Sequence, residues 1–118
     1  MTISDVISLL DAQVLSETID YEQQIQTACG SDMMSDVLRY IKQDSILLTG
    51  LTNLQVIRTA EMLDIVCLIF VRGKQPAPEM LKKAEELGIS VLCTDYAMFE
   101  ACGILYDAGL RGGKRSDD

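Results

Sequence analysis

Short apolar segments that alternate with helix-forming segments constrain the fold of this chain more than any other feature. Three of them, SILLTG (45–50), IVCLIFV (65–71) and ISVLC (89–93), have the length of strands and are apolar along most of it. Such continuous apolar character is typical of strands that are covered on both faces. Their alternation with helices predicts a three-layer α/β fold, in which helices flank a mainly parallel sheet.

Two further strands bring the predicted sheet to about five strands. They are AQVLS (12–16) and a strand within YEQQIQTACG (21–30), where Ile25, Thr27 and Cys29 alternate with the residues between them. Helices are predicted before, between and after the strands. Their ranges are 2–10, a helix from about residue 32, then 53–64, 78–88 and a last helix that starts after residue 95.

Capping residues and the 3.6-residue period define the helices further. Thr2 and Asp5 have the spacing of a capping box at the first helix, and Asp95 is predicted to cap the last one. The inner helix faces are predicted to carry apolar residues three or four positions apart. These are Met34, Val37, Leu38 and Ile41 in the second helix, Val56, Ile57, Ala60 and Leu63 in the third, and Met98, Cys102 and Leu105 in the last.

Length and composition indicate one domain. The chain has 118 residues, 48% of them hydrophobic, which is enough for one packed core and too little for two. We expect this domain to cover residues 1–110. The last segment, RGGKRSDD (111–118), has no apolar anchor, and we predict that it is a disordered tail.

Charge and hydropathy exclude several classes of partner. The net charge of −8 argues against a nucleic-acid partner, because phosphate neutralisation requires clustered Lys and Arg. No apolar run reaches the roughly 20 residues that span a bilayer, so we expect no membrane insertion. The N-terminus lacks the basic region and apolar core of a signal peptide, which predicts a cytoplasmic protein.

The cysteines and the absence of histidine argue against catalysis. Cys29, Cys67, Cys93 and Cys102 match no zinc or iron–sulfur spacing, and we interpret them as reduced, buried thiols. A metal or iron–sulfur cluster on these cysteines is the alternative. The sequence contains no histidine, which removes Ser-His-Asp and Cys-His chemistry. We therefore predict that the protein is not an enzyme and has no catalytic residue, cofactor or resident metal.

Candidate binding residues follow the ends of the predicted strands, where ligands bind in open α/β sheets. Helix N-termini attract anions at such an edge, and Arg72 and Lys74 add positive charge. These features predict a site for a nucleotide or another phosphorylated small molecule. The ten candidates are Asp32 after the second strand, Thr49, Gly50, Thr52 and Asn53 after the third, Arg72, Gly73 and Lys74 after the fourth, and Thr94 and Asp95 after the fifth.

The same residues also have a simpler interpretation. Gly, Thr, Asn and Asp serve in any strand-to-helix turn, and the sequence contains neither GxxxxGK[ST] nor GxGxxG. The pair Asp32 and Asp36 could bind Mg²⁺. Alternatively, Asp32 favours the start of a helix and Asp36 faces solvent. The residues alone leave these alternatives open.

Three segments together resemble a DRTGG domain. They are GSDMMSDVL (30–38), LLTGLTNLQVIRTAEMLDIVCLIFVRGKQP (47–76) and AEELGISVLCTDYAMFEACGILYDAGL (84–110), and the resemblance extends over about residues 2–110. It implies an α/β fold similar to the N-terminal domain of HPr kinase, and it implies dimerisation. Such domains occur beside CBS domains in regulated pyrophosphatases and in phosphotransacetylase-like proteins. In those proteins the resemblance implies that the DRTGG domain is regulatory. Adenine nucleotides are the implied effectors, acting through the neighbouring CBS domains.

The match to the family's signature residues is partial. Asp32 resembles the Asp of the family's Gly-Asp at the start of the second helix. Thr52-Asn53 stands where the family has Asp-Arg, and Val71-Arg72-Gly73 stands where it has Thr-Gly-Gly, so only the last glycine is kept. If those residues bind a ligand in other members, this chain binds a different one or none.

Two functions follow as hypotheses. The first is a non-enzymatic, homodimeric regulatory or adaptor domain that senses a nucleotide or another anionic metabolite. The second comes from stand-alone proteins similar to this one, which are encoded near iron-hydrogenase and NADH-dehydrogenase-like subunits. It is a protein-interaction module that docks on such a redox complex without any small ligand.

Overall fold

The computed structural model describes residues 1–40 and 44–113. Helices and strands alternate along this part of the chain. In order they are α1 (Ile3–Leu10), β1 (Gln13–Val14), β2 (Thr27–Gly30), α2 (Met34–Tyr40), β3 (Ser45–Thr49), α3 (Leu54–Met62), β4 (Ile65–Phe70), α4 (Pro78–Glu86), β5 (Ser90–Cys93) and α5 (Met98–Asp107).

The strands form one five-stranded sheet in the order β1-β5-β4-β3-β2. Strands β2 to β5 are parallel, and β1 pairs with β5 in the antiparallel direction. The central strands β3, β4 and β5 are buried almost throughout. The predicted mainly parallel sheet of about five strands is therefore confirmed, and the apolar runs that predicted it are its centre.

Helices cover both faces of the sheet. On one face α1 and α5 pack on the sheet through the buried residues Ile3, Val6, Leu10, Ala101 and Leu105. On the other face α2, α3 and α4 pack through Met34, Val37, Val56, Ile57, Ala60, Met80 and Ala84. The three-layer prediction is confirmed, because each parallel crossover returns along one face while α1 and α5 lie on the other.

The first helix begins as predicted. The Thr2 hydroxyl accepts a hydrogen bond from the Asp5 N–H at 3.2 Å, and the Asp5 carboxylate accepts one from the Thr2 N–H at 2.9 Å. The backbone hydrogen bond from Thr2 lowers the pKa of Asp5, because it stabilises the charged carboxylate. In this capping box each side chain thus accepts from the backbone N–H of the other residue.

The last helix does not begin as predicted. Ala97, not Asp95, is the N-cap of α5, and its side chain makes no capping hydrogen bond. The cause lies in the preceding turn, where the Thr94 hydroxyl accepts from the Tyr96 N–H at 3.3 Å. This local turn delays the helix and leaves Asp95 outside it.

The second helix begins slightly later than predicted. It begins at Met34 instead of near Asp32, and it buries Met34 and Val37. Leu38 was predicted on the inner face, but it is 49% exposed, because α2 turns Met34 and Val37 toward the core and leaves Leu38 at the border. Ile41 lies outside the described residues.

The inner faces of the other helices follow the prediction in part. Val56, Ile57 and Ala60 are buried on α3, whereas Leu63 is half-buried as the C-cap of that helix. On α5 the most deeply buried residues are Ala101 and Leu105. The predicted residues Met98 and Cys102 are half-buried and pack at the border of the core.

Strand β2 is an edge strand, and the chain after α5 covers part of it. Thr27 and Arg111 form an isolated parallel bridge, and the Arg111 carbonyl accepts a hydrogen bond from the Ala28 N–H at 3.1 Å. Arg111 is the first residue of the predicted tail, and residues 114–118 lie outside the described part of the chain. Covering an edge in this way blocks pairing with other strands. Over the described residues, the helices are all too short or too polar to cross a membrane.

Candidate ligand site at the carboxyl edge of the sheet

The turns after β2, β3, β4 and β5 lie side by side at one edge of the sheet. These strands are parallel and adjacent, so their carboxyl ends point the same way. The helix after β4 covers one face of the sheet, and the helix after β5 covers the other. Ligands in open α/β sheets bind at such a point, where the connections diverge. The four predicted turns therefore meet at the expected place for a site.

Asp32 joins the turn after β2 to the end of β3. Its Oδ1 atom accepts hydrogen bonds from the Gly50 N–H at 2.7 Å and from the Thr49 hydroxyl at 2.9 Å. Thr49 is buried, and its hydroxyl oxygen also accepts from the Leu51 N–H at 3.1 Å. Asp32 thus lies two residues before α2, and its carboxylate satisfies the end of a neighbouring strand.

Arg72 is held in an uncommon backbone conformation. Its φ is 59° and that of Gly73 is 68°, and the Lys74 N–H donates to the Val71 carbonyl at 3.1 Å across the turn. Positive φ at both central residues is the pattern of a type I′ turn, in which a long non-glycine side chain is strained. Strained residues of this kind occur often at functional sites.

The Arg72 guanidinium lies over Gly50. A Cβ atom at Gly50 would stand 2.6 Å from Arg72 Nη2 and 3.6 Å from Asp32 Oδ1. Glycine at this position therefore leaves room for a cation and a carboxylate near the same turn. Arg72 itself is exposed to solvent.

The turns after β4 and β5 are tied together through the backbone. The Arg72 N–H donates to the Tyr96 carbonyl at 2.8 Å, and the Gly73 N–H donates to the Thr94 carbonyl at 2.9 Å. A Cβ atom at Gly73 would stand 3.2 Å from Asp95 Oδ1, so the Asp95 carboxylate lies beside this turn. No sequence pattern predicts the hydrogen bond between Arg72 and Tyr96, because it depends on which loops the fold brings together.

The remaining predicted residues divide into structural and exposed ones. The Thr94 hydroxyl is buried and donates to the Leu10 carbonyl at 2.8 Å. Asn53 is the N-cap of α3, where its side-chain oxygen accepts from the Gln55 N–H at 3.0 Å. Thr52 is half-buried before this cap, and Lys74 is exposed beside Arg72. Lys74 thus extends the positive charge, whereas Thr94 and Asn53 serve the fold.

Comparison with known proteins identifies the family. The sequence model of the DRTGG domain matches residues 5–108. The chain belongs to the DRTGG domain family. No curated protein sequence matches this DRTGG domain at a significant level.

A similar solved structure supports the fold of this DRTGG domain. It is the crystal structure of the CBS and DRTGG domains of the regulatory region of Clostridium perfringens pyrophosphatase, complexed with the activator diadenosine tetraphosphate. The TM-score is 0.68 at 18% sequence identity, and the match covers 88% of this chain and 45% of the other. The DRTGG domain thus spans less than half of that regulatory region, and the likeness establishes the α/β fold.

One thiol of this DRTGG domain contacts the site, because Cys93 Sγ donates to the Lys74 carbonyl at 3.2 Å. Cys67 and Cys93 are buried, and Cys29 and Cys102 are half-buried, all as free cysteines. Burial raises the pKa of each thiol, and the nearby Cys102 and Asp36 raise the pKa of Cys29 further. Within residues 1–40 and 44–113, no group of three or more His, Cys, Asp or Glu could hold a metal ion.

An exposed apolar surface on α5 escaped the sequence analysis. Phe99 is 84% exposed and Tyr106 is 59% exposed, with Gly103 between them on the same helix. The Arg111 guanidinium carbon lies 3.8 Å from the centre of the Tyr106 ring. The seven-residue spacing of the two aromatic residues is a signal for one helix face, but only the packing of α5 decides that this face is outside.

Proposed function

We propose that this DRTGG domain, over residues 1–110, is a non-enzymatic regulatory domain that binds an adenine nucleotide or a related phosphorylated metabolite at the carboxyl edge of its sheet. One observation carries the proposal: the exposed Arg72 guanidinium lies over Gly50, and Arg72 itself has a positive φ of 59°. A fold that tolerates this strain presents a cation at the point where the strand connections diverge.

The chemistry of this edge suits a phosphate group. A guanidinium binds phosphate oxygens through paired N–H donors, and Lys74 adds a second exposed cation two residues later. The N-terminus of α3, a helix of nine residues, begins after Asn53 and adds a partial positive charge. These three contributions favour an anion that approaches from solvent.

Three further observations support regulation without catalysis. The similar Clostridium perfringens regulatory region was crystallised with the activator diadenosine tetraphosphate, which motivates adenine nucleotides as the first ligands to test. The sequence contains no histidine. The hydroxyls of Thr49 and Thr94 are engaged in hydrogen bonds that hold the fold, so neither is presented as a nucleophile.

Thermal unfolding and calorimetry with AMP, ADP, ATP and diadenosine tetraphosphate test the proposal. A ligand at about one hundred times its Kd stabilises a protein by about 2.7 kcal/mol, which raises the Tm of a domain this size by several degrees. Arg72→Ala should abolish this shift. Lys83→Ala is the matched control, because Lys83 is exposed in the last turn of α4, away from the site. Saturable binding that Arg72→Ala leaves unchanged would contradict the proposal, as would a screen without any binding.

We also propose that the domain acts as a homodimer. The exposed aromatic residues Phe99 and Tyr106 on α5 support self-association, because large apolar side chains on one helix face are common at protein interfaces. Light scattering after size exclusion measures the molar mass directly. Phe99→Ser should convert a dimer to a monomer, whereas Met62→Ser on α3, which is 70% exposed, should not.

Docking on a redox complex is the second candidate function. Exposed apolar residues on the α2 and α3 side support it: Leu38, Leu54 and Met62 are 49%, 46% and 70% exposed. Biolayer interferometry with purified hydrogenase and NADH-dehydrogenase-like subunits tests this function. Leu38→Glu should weaken binding and Lys83→Ala should not. If none of these subunits binds, the regulatory function is the one candidate that remains.

A further inference from the structure

The two oxygens of the Asp32 carboxylate differ in their surroundings. Oδ1 holds two donors, the Gly50 N–H at 2.7 Å and the Thr49 hydroxyl at 2.9 Å. Over residues 1–40 and 44–113, no protein donor bonds to Oδ2, and the side chain is exposed. Because a carboxylate accepts several hydrogen bonds, one oxygen fixes the group in place and the other remains able to accept from a ligand.

The Asp32 carboxylate lies near the site's cation. Asp32 Oδ1 and Arg72 Nη2 stand 3.6 Å and 2.6 Å from the same point, the Cβ position of Gly50. A cation and an anchored carboxylate therefore share one turn, within the span of a single sugar phosphate. An isolated phosphate that reaches Arg72 also meets the negative charge of Asp32, which opposes its binding.

We propose that Asp32 and Arg72 together select a ribonucleotide over a free phosphate or pyrophosphate. Arg72 binds a phosphate, and Asp32 Oδ2 accepts a hydrogen bond from a ribose hydroxyl. Acidic residues in dinucleotide-binding α/β folds accept from ribose in this way. This inference rests on the proposed function and names the ligand class of the same site.

The ribose hydroxyl decides whether Asp32 opposes or favours binding of a phosphorylated ligand. When a ribose hydroxyl donates to Oδ2, the charge that repels a bare phosphate is used in a charge-assisted hydrogen bond. A ligand without that hydroxyl gives Oδ2 no hydrogen bond to offset its charge beside the phosphate, so we expect such a ligand to bind more weakly. Arg72 and Asp32 thus recognise the phosphate and the hydroxyl of one ribose phosphate.

Calorimetry with ADP, 2′,3′-dideoxy-ADP and pyrophosphate tests the inference on the unmodified chain. We expect ADP to bind at least about tenfold more tightly than the other two. Equal binding of ADP and its dideoxy analogue, or of ADP and pyrophosphate, would overturn the inference and leave the proposed anion site standing. Failure of all three to bind would overturn the inference, and failure of AMP, ATP and diadenosine tetraphosphate as well would overturn the proposed function itself.

The variant Asp32→Asn adds an independent readout. Its side-chain oxygen still accepts from Thr49 and Gly50, but the charge is gone. We expect ADP binding to weaken about tenfold, while pyrophosphate binding becomes tighter. Asp36→Asn, on an exposed residue in the first turn of α2, is the matched control and should change neither affinity. A parallel change for both ligands in Asp32→Asn would contradict a selective role.

Discussion

The sulfur of Cys102 on α5 lies directly against Gly30 at the end of β2. A Cβ atom at Gly30 would stand 2.5 Å from Cys102 Sγ and 3.1 Å from Met98 Sδ. Glycine therefore lets α5 approach the edge strand closely. This contact fixes the distance between the last helix and the carboxyl edge of the sheet.

Gly30→Ala is expected to destabilise the protein by about 1–3 kcal/mol, because the added methyl group overpacks the contact with Cys102. Urea unfolding measures the loss. Cys102→Ala makes room for the new methyl group, so Gly30→Ala should cost less in that background. A double-mutant cycle measures this coupling. Equal costs in the two backgrounds would show that Cys102 does not restrict Gly30.

Asp32→Ala is expected to lower the free energy of unfolding by about 1–3 kcal/mol, because the buried Thr49 hydroxyl and the Gly50 N–H lose their acceptor. Asp32→Asn keeps an acceptor oxygen and should cost less. Chemical denaturation of both variants without ligand provides the comparison. Similar losses for the two variants would mean that the charge of Asp32, rather than its hydrogen bonds, stabilises this edge.

Arg72→Asn is expected to raise the free energy of unfolding by up to about 1 kcal/mol, because Asn tolerates the left-handed conformation better than Arg. Lys74→Asn is the control, since Lys74 is not among the residues with positive φ. Thermal unfolding at neutral pH compares the two. A variant that gains stability and loses nucleotide binding would indicate that the strain at Arg72 serves the ligand. A loss of stability larger than that of Lys74→Asn would contradict the prediction.

Alkaline pH is expected to destabilise the fold through Cys67. Burial raises the pKa of this thiol in the folded state, whereas an unfolded thiol has a pKa of about 8.5. The folded state therefore keeps its full stability below that value. It loses about 1.4 kcal/mol per pH unit for this one thiol as the pH rises further, because only the unfolded chain ionises.

Urea unfolding of the wild type and Cys67→Ala between neutral pH and about pH 10 measures this dependence. The variant should be less stable at neutral pH, because a buried side chain is shortened, but its stability should fall less steeply with pH. Equal slopes for the two proteins would contradict the role given to Cys67.

The fold could be predicted wherever one segment carries its own signal. The runs at 45–50, 65–71 and 89–93 became β3, β4 and β5, because a short segment that is apolar along most of its length is typical of a strand buried on both faces. The capping box of Thr2 and Asp5 is equally local, since both partners lie within one helical turn. Prediction failed at Leu38 and Asp95, where the rotation of α2 on the sheet and a competing turn decided the outcome.

The candidate site depends on the tertiary structure more than the secondary structure does. The sequence by itself determined which residue types follow each strand, and the parallel order placed them at one edge. Only the tertiary structure decided that Asp32 bonds to Thr49 and Gly50, and that Arg72 lies over Gly50. The physical reason is the sequence separation of the residues in contact. Helix caps and hydrophobic periods act within a few residues, whereas these contacts join turns that follow different strands and form only after the sheet has assembled.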